Sequence, residues 1–126
     1  MILQKELVFR GRRDSEKTLS ALFDSGASYS CINPHHVEDD FSPLIELPEP
    51  YELETAQESN FMKVTHVVRL EFMLNDLRMS DEFLVLPNLS EDVLIGAYTM
   101  QKWKIKLDFE NDEIITNPKA ARLMLK

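Results

Sequence analysis

Apolar and polar side chains alternate with a period of two along most of the chain, the pattern typical of β-strands. Residues 18–23 become apolar on both faces, so this strand is predicted to run into the protein interior. It ends at Asp24-Ser25-Gly26, a polar, turn-like triplet at a point where the chain should be most buried. Residues 7–9 form a shorter strand, and a charged connection over residues 10–15 joins the two as a surface hairpin.

The middle of the chain predicts two more antiparallel pairs. Residues 51–55 and 61–65 are short alternating runs separated by a polar segment, and they predict a projecting hairpin. Residues 67–72 and 82–86 predict a pair that reverses at the turn signal Asn75-Asp76. These segments indicate a protein built mainly from β-strands.

Short helices and a closing hairpin complete the predicted elements. Asn33-Pro34 combines a capping side chain with proline at the first helical position, so we expect a short helix over about residues 34–39. Residues 93–96 predict an apolar strand that ends in glycine, and residues 98–103 suit one or two helical turns. Residues 105–115 predict a final hairpin with one charged, solvated face.

Prolines and glycines mark the irregular positions. The prolines within residues 43–50 predict an extended surface connection, because proline lacks the N–H donor that a central strand needs. The run after Pro118 can form a helix but is short, so fraying and docking are both open. Only three glycines occur, Gly11, Gly26 and Gly96, and each is predicted to mark a positive φ or a close approach of two backbones.

The chain length of 126 residues fits one globular domain. We expect a single domain over residues 1–126, with a core at about 5–116 and a C-terminal tail at 117–126. The 22 acidic and 14 basic side chains give a net charge of −8, the wrong sign for nucleic acid or an anionic membrane, so neither is expected as a partner. With one cysteine and no signal-peptide features, a soluble, cytoplasmic protein is expected.

Candidate chemistry concentrates in residues 22–28, Leu-Phe-Asp-Ser-Gly-Ala-Ser, where the acid Asp24 ends a buried apolar strand. This segment resembles the Asp-[Ser/Thr]-Gly-Ala signature of aspartic proteases. Residues 93–96, Val-Leu-Ile-Gly, resemble the apolar-apolar-Gly element that crosses behind the catalytic loop in the same family. The order of elements agrees over roughly residues 7–116, so the chain is similar to the single-domain retropepsin-like, retroviral-type aspartic proteases.

The resemblance implies an all-β fold, a closed acid-protease-like β-barrel with a flap hairpin and one or two short helices, assembled as a homodimer. Peptide hydrolysis needs a base that takes a proton from water and an acid that protonates the carbonyl oxygen, and two facing carboxylates sharing one proton supply both. The chain holds one such motif, so Asp24 of each subunit would meet at a two-fold axis. The implied function is an aspartic endopeptidase that cleaves peptide or protein substrates without a cofactor or metal ion.

The resemblance also assigns supporting residues. The residues expected to support the active-site loop are Ser25, Gly26, Ala27 and Ser28. In the family the hydroxyl at the Ser25 position bonds across to the partner loop, and strands from the chain ends build the interface, here residues 3–8 and 114–116. The flap residues expected to bind substrate are Ala56, Gln57, Glu58 and Ser59. This tip holds no glycine, a departure from the glycine-rich flaps of retroviral members.

Other readings of the same chain stay open. Asp24 is also compatible with a structural turn, in which its side chain caps neighbouring N–H groups. The whole chain is compatible with a catalytically silent peptide-binding or dimerisation module, or with a purely structural β domain. Ser28 lacks the second glycine and the placed histidine of a serine nucleophile, so that role is not expected. The adjacent His35 and His36 are expected to be solvent-exposed, and Cys31 to be a buried apolar side chain, with a redox role as the alternative.

Overall fold

A computed structural model describes residues 2–38, 40–54 and 61–121 of the chain. The strands in this part are β1 (Ile2–Arg10), β2 (Glu16–Asp24), β3 (Cys31–Ile32), β4 (Ile45–Glu54), β5 (Phe61–Leu74), β6 (Leu77–Val85), β7 (Val93–Ile95), β8 (Lys106–Asp108) and β9 (Glu113–Ile115). The helical elements are α1 (Ala97–Lys102) and two short 3-10 helices, Pro34–His36 and Pro118–Ala121.

Six strands close into a barrel. They follow the order β1-β2-β7-β3-β6-β5, and β5 pairs back to β1, where Phe9 lies opposite Phe72. Strand β4 pairs with the first part of β5 and lies outside the closed barrel. The sequential hairpins β1–β2 and β5–β6 are antiparallel, whereas β2 and β7 are parallel. This architecture confirms the predicted all-β fold with a closed barrel, while the homodimer stays a prediction and the flap tip lies outside the described residues.

Two apolar clusters fill the space inside the sheet. The larger one is centred on three phenylalanines, Phe9, Phe72 and Phe83, whose ring centroids lie 5.9 to 6.1 Å apart. Aromatic pairs in such tilted and edge-on arrangements add about 0.5–1.5 kcal/mol beyond the burial of their area. The smaller cluster contains Val64, Val67, Leu84 and Cys31 and adjoins the site described below.

The predicted turn between β5 and β6 is confirmed. Asn75 and Asp76 have φ of 51° and 63°, the left-handed conformation that a two-residue hairpin turn requires at both central positions. The two runs predicted on either side of His66 are instead one continuous strand, β5. Val67 and Val68 are both buried, one in each apolar cluster, so β5 passes from the outer pair with β4 into the barrel without a break.

The proline-rich connection is an edge strand. Strand β4 contains Pro48 and Pro50, and its pairing with β5 shifts register between Glu46 and Tyr51. Both prolines fall in this shifted stretch, where a missing N–H group breaks no regular sheet pairing. The prediction that this segment is not a central strand is therefore confirmed. The expectation of a plain extended connection is wrong, because the segment is an edge strand.

The helix predicted over residues 34–39 is shorter than expected, a 3-10 helix over Pro34–His36. The Asn33 side chain caps it by accepting a hydrogen bond from the N–H of His35 at 2.9 Å. Val37 then takes an extended conformation, with φ −113° and ψ 92°, and is buried in the larger apolar cluster. The helix ends where Val37 becomes extended and packs into the core.

The C-terminal elements follow the prediction. Helix α1 covers the segment expected to be helical, and β8 and β9 form the closing hairpin, with Asp112 at φ 52° in the turn. Of the predicted tail, Pro118–Ala121 forms a 3-10 helix, and residues 122–126 lie outside the described residues. Among the helices that the structure describes, none has the length and apolar character needed to cross a bilayer.

Candidate active site

Asp24 lies where a core strand leaves the interior. It is the last residue of β2, which runs between β1 and β7; Phe23 before it is fully buried, whereas Asp24 is half-buried. The backbone N–H of Gly26 donates a hydrogen bond of 2.9 Å to Asp24 Oδ1, and the N–H of Ala27 donates to the Asp24 carbonyl oxygen at 3.2 Å. The active-site loop, residues 24–29, thus fixes the orientation of the carboxylate through its own backbone.

Gly96 lets this loop lie directly against the start of α1. The N–H of Ala97 donates to the carbonyl oxygen of Ala27 at 2.7 Å, and the next N–H of α1 reaches the following loop carbonyl at 3.1 Å. A Cβ on Gly96 would lie 2.5 Å from the carbonyl oxygen of Tyr29, so only glycine permits this approach. The glycines have no positive φ, and close approach, one of the two predicted reasons, explains Gly96.

A buried chain of hydrogen bonds supports the loop from behind. The N–H of Gly96 donates to Ser30 Oγ at 3.0 Å, and the Ser30 hydroxyl contacts the Thr99 hydroxyl at 2.5 Å. Thr99 Oγ1 donates in turn to Asp81 Oδ2 at 2.7 Å, and Lys102 Nζ lies 3.7 Å from the other Asp81 oxygen. Because each hydroxyl both donates and accepts, two buried polar side chains are fully satisfied. These hydrogen bonds connect the end of the active-site loop with α1 and β6.

Asp24 opens into a cleft of about 560 Å³ between the active-site loop and β4. The cleft has the size of a small-molecule or peptide side-chain site. Its acidic lining residues are Asp24, Glu52 and Glu54, and its apolar lining residues are Ala27, Cys31, Leu53, Leu86 and Leu94. Within the described residues no basic side chain lines this cleft. The cleft therefore combines an apolar floor with a negative rim.

Three tyrosines form an exposed aromatic surface at one side of the cleft. Tyr29, which lines the cleft, stacks on Tyr51 with ring centroids 6.5 Å apart and meets Tyr98 edge-on at 5.3 Å. The three residues are 47%, 47% and 56% exposed. Rings held against one another in this way keep their apolar faces available at a low cost in side-chain freedom.

Cys31 lines the cleft as an unreactive thiol. It is 5% exposed, and burial raises its pKa to about 11. Since the thiolate is the nucleophilic and oxidisable form of cysteine, a raised pKa disfavours both nucleophilic and redox chemistry at neutral pH. The geometry supports the predicted role of a small apolar side chain in the cleft.

The structure brings four of the predicted site residues together in one cleft. Gly26, Ala27 and Ser28 line the cleft with Asp24. Ser25 is exposed and faces a separate, mainly apolar hollow of about 320 Å³ between the loop and the chain after α1. The predicted flap residues Ala56, Gln57, Glu58 and Ser59 lie outside the described residues. The roles of all these residues stay predictions.

The histidines differ from the prediction in part. His35 is exposed as expected, but His36 is half-buried and its Nε2 lies 2.8 Å from Asp92 Oδ1. The other Asp92 carboxylate oxygen accepts a hydrogen bond from the N–H of Ser20 at 3.1 Å. The contact with Asp92 explains why His36 is half-buried. Asp92 directly precedes β7, and β7 lies beside β2 in the sheet. In the described parts of the chain, no group of three or more His, Cys, Asp or Glu side chains is arranged to hold a metal ion.

Several residues of the site escaped the sequence analysis. Tyr29 directly follows the motif at residues 22–28, and this position was the only indication in the sequence that it belongs to the site. Glu52 and Glu54 stood in a predicted strand, yet the alternation does not reveal which face meets the cleft. Ser30 and Thr99 are 69 residues apart in sequence, so their contact depends on the tertiary fold.

Comparison with known proteins agrees with this geometry. A family model described as retroviral aspartyl protease matches residues 15–122. The fold is similar to the crystal structure of the retroviral protease-like domain of Ddi1 from Leishmania major, with a TM-score of 0.67 at 13% identity over 93% of this chain and 89% of that one. It is also similar to EIAV protease complexed with the inhibitor HBY-793, with a TM-score of 0.58 at 13% identity over 84% of this chain and 91% of that one. A comparison with curated protein sequences gives no match.

The family match spans most of the chain and includes both sequence elements that carry the resemblance, the Asp24 loop and the strand that ends at Gly96. At 13% identity the two solved structures are evidence for the fold alone, and both are similar in fold to this chain. The chain belongs to the retroviral aspartyl protease family.

Proposed function

We propose that this protein is an aspartic endopeptidase whose active site forms when two copies bring their Asp24 carboxylates together. The observation that carries the proposal is the position of Asp24, oriented by the Gly26 N–H at the mouth of a cleft of peptide side-chain size. Each chain holds one Asp-Ser-Gly motif, whereas hydrolysis by this chemistry uses two carboxylates. The proposal includes a single domain over residues 1–126 and a cytoplasmic location.

The chemistry follows from two carboxyl groups that share one proton. The ionised carboxylate takes a proton from water, whose oxygen attacks the peptide carbonyl carbon, while the protonated carboxyl gives its proton to the carbonyl oxygen. The tetrahedral intermediate then collapses as the carbon–nitrogen bond breaks. The amine takes the proton gained by the first carboxyl, and a hydroxyl of the intermediate returns one to the second. Both carboxyl groups end in their starting states.

Two features of the single chain support dimerisation. Strand β1 pairs with β5 only through Val8–Arg10, so within the described sheet the second edge of residues 2–7 has no partner strand. The apolar hollow beside Ser25, lined by Met100, Ile105, Leu107 and Phe109 among others, adjoins the active-site loop. Apolar surface next to an incomplete site is the surface that a second subunit would bury.

The cleft suggests the substrate. An extended peptide lying between β4 and the active-site loop would place an apolar side chain among Cys31, Leu53 and Leu94. The carboxylates of Glu52 and Glu54 at the rim favour lysine or arginine at neighbouring positions of the peptide. We propose that residues 56–59 cover this peptide as a flap.

The test compares wild-type protein with Asp24→Asn on a peptide library, and then mixes the two. Asp24→Asn is isosteric and should fold normally, but it cannot serve as the base, so cleavage should be lost by at least about a thousandfold. After subunit exchange, an equal mixture should keep about a quarter of the wild-type activity, because only pairs of wild-type chains hold two acids.

Three results would contradict parts of the proposal. Normal cleavage by Asp24→Asn would move the chemistry elsewhere. An equal mixture with about half of the activity would indicate independent monomeric sites. Peptide binding by wild-type protein without any cleavage, under conditions where the dimer is present, would favour the silent binding module instead.

A further inference from the structure

The surface at the other end of β2 carries a concentration of arginine that the proposed protease chemistry does not use. A cleft of about 370 Å³ lies between the β1–β2 turn and strands β5 and β6. Five of the chain's arginines line it, namely Arg10, Arg12, Arg13, Arg69 and Arg78. Two acidic residues, Asp14 and Glu71, share the lining. The cleft is therefore strongly positive in a chain whose net charge is −8.

Glu71 organises this cleft without neutralising it. Its Oε2 accepts a hydrogen bond from Arg78 at 2.6 Å and lies 3.7 Å from Arg69, while Arg10 lies opposite Glu71 in the β1–β5 pairing. The hydrogen bond from Arg78 lowers the pKa of Glu71, and the charges of Arg69 and Arg10 lower it further. One ionised carboxylate therefore lies among three guanidinium groups and hydrogen-bonds one of them, Arg78.

Arg10 and Arg69 keep unused donor capacity. Each guanidinium carries five N–H donors in a rigid plane. Arg10 pairs with Glu16 at 3.0 Å. Arg69 lies 3.7 Å from the carboxylate of Glu71, and 60% of the Arg69 side chain is exposed. These surface ion pairs contribute little stability, about 0–1 kcal/mol each, so stability alone gives little reason to gather so many arginines here.

We propose that this arginine cleft binds a phosphate group, carried either by a small anion such as pyrophosphate or by a phosphorylated side chain. The lining arginines come from the end of β1, the β1–β2 turn, β5 and β6, so they can approach a tetrahedral anion from several sides. A phosphate monoester brings up to two charges and three free oxygens, so it offers more charge and more acceptor atoms to several guanidinium groups than a carboxylate does. The nine residues of β2 separate this cleft from Asp24 by on the order of 25 Å.

Binding is measured by calorimetry on the whole protein, with pyrophosphate, a phosphoserine peptide, and the same peptide carrying glutamate or serine at that position. Arg69→Gln and Arg13→Gln test two sides of the cleft, and Lys106→Gln, at an exposed position of β8, is the charge-matched control. Each arginine variant should weaken phosphate binding by about tenfold, the loss of one hydrogen bond between charged groups, while Lys106→Gln changes it by less than about twofold. Thermal unfolding verifies that each variant is folded.

The result identifies the source of the phosphate. A higher affinity for the phosphopeptide than for pyrophosphate indicates a phosphorylated partner. A higher affinity for pyrophosphate indicates a small anion. The absence of saturable binding of both phosphate ligands to folded wild-type protein, equal loss in Lys106→Gln, or binding of the glutamate peptide as tight as that of the better phosphate ligand would each overturn the proposal. Asp24→Asn should bind phosphate as wild-type does, so this test stands or falls separately from the proposed proteolysis.

Discussion

The two ends of strand β2 carry opposite chemistry. At its start, Glu16 pairs with Arg10 beside a cleft rich in guanidinium groups. At its end, Asp24 opens into a cleft that the described residues line with carboxylates and apolar side chains. The net charge of −8 averages over these two surfaces and describes neither. The comparison shows that a sequence-wide charge excludes a class of partner only when the charges are spread evenly over the surface.

The same backbone device holds both ends in place. A Cβ on Gly11 would lie 2.5 Å from Ser42 Cβ and would also clash with the carbonyl of Phe41. A Cβ on Gly96 would lie 2.5 Å from the Tyr29 carbonyl oxygen. Each glycine thus allows a loop to pack directly on a neighbouring backbone. The two contacts can be broken one at a time.

Among substitutions that leave Asp24 itself unchanged, the largest effect is expected from Gly96→Ala. The added methyl group has to displace the backbone behind the active-site loop, which should destabilise the fold by about 2–3 kcal/mol. In the fraction that stays folded, a displaced Asp24 should lower kcat/KM by at least about a hundredfold. Denaturant unfolding and peptide cleavage measure the two losses.

Gly11→Ala is the matched control for this prediction. It should cost similar stability, yet leave cleavage per folded protein near the wild-type value and weaken pyrophosphate binding instead. If both variants lost cleavage equally, the two ends of β2 would be coupled, and the separation between them would be wrong.

A smaller effect is expected from removing the rim carboxylates with the double substitution Glu52→Gln and Glu54→Gln. The value of kcat/KM for peptides with lysine or arginine beside the cleaved bond should fall about fivefold, since exposed charge pairs contribute roughly 1 kcal/mol. Neutral peptides should be cleaved as before. Glu49→Gln, on the same strand but away from the cleft lining, serves as the control. Equal loss for neutral peptides would show that the rim acts on structure and not on charge.

The smallest effect concerns the pH dependence of protein stability that arises from Asp92, which accepts a hydrogen bond from Ser20 in the middle of β2. Burial would raise the pKa of Asp92, but hydrogen bonds from the Ser20 N–H and from His36 outweigh it and lower the pKa. The folded state therefore binds this proton less readily than the unfolded state, so the stabilisation is present above the unfolded pKa of about 4 and is lost as the pH falls through the folded pKa. The site is partly exposed, which reduces the contribution.

Asp92→Asn should then lower the free energy of unfolding by about 1 kcal/mol at pH 7 and by much less at pH 3. Asp40→Asn, at an exposed position, should show no such difference. Urea unfolding at the two pH values gives the measurement. A loss at pH 3 as large as at pH 7 would assign the role of Asp92 to shape and not to charge.

Local signals in the sequence were sufficient for much of the fold. The hairpin turn at Asn75-Asp76 and helix α1 each depend on a few adjacent residues, and both are confirmed. The helix after Asn33 was predicted too long, because its end is decided by Val37 packing into a distant core. Strand β4 was missed in part because prolines disfavour sheet pairing, and the register shift that accommodates them is visible only in the pairing of β4 with β5.

The candidate site shows the same division. The motif around Asp24 is contiguous in sequence, and it led to the family that the comparison confirms. The support behind the loop joins Ser30, Thr99 and Asp81, which are far apart in sequence and carry no joint signal. The arginine cleft likewise brings together a turn and two strands, so the sequence showed its residues only as scattered surface charges.

The prolines of β4 have a consequence for behaviour in concentrated solution. In the described sheet β4 has one partner, β5, and its outer edge is an exposed template on which strands of other molecules can grow. Pro48 and Pro50 supply no N–H donors to such growth, and the neighbouring carboxylates of Glu46 and Glu49 repel a second copy of the same edge. Both features disfavour association of this edge with a β-strand of another molecule.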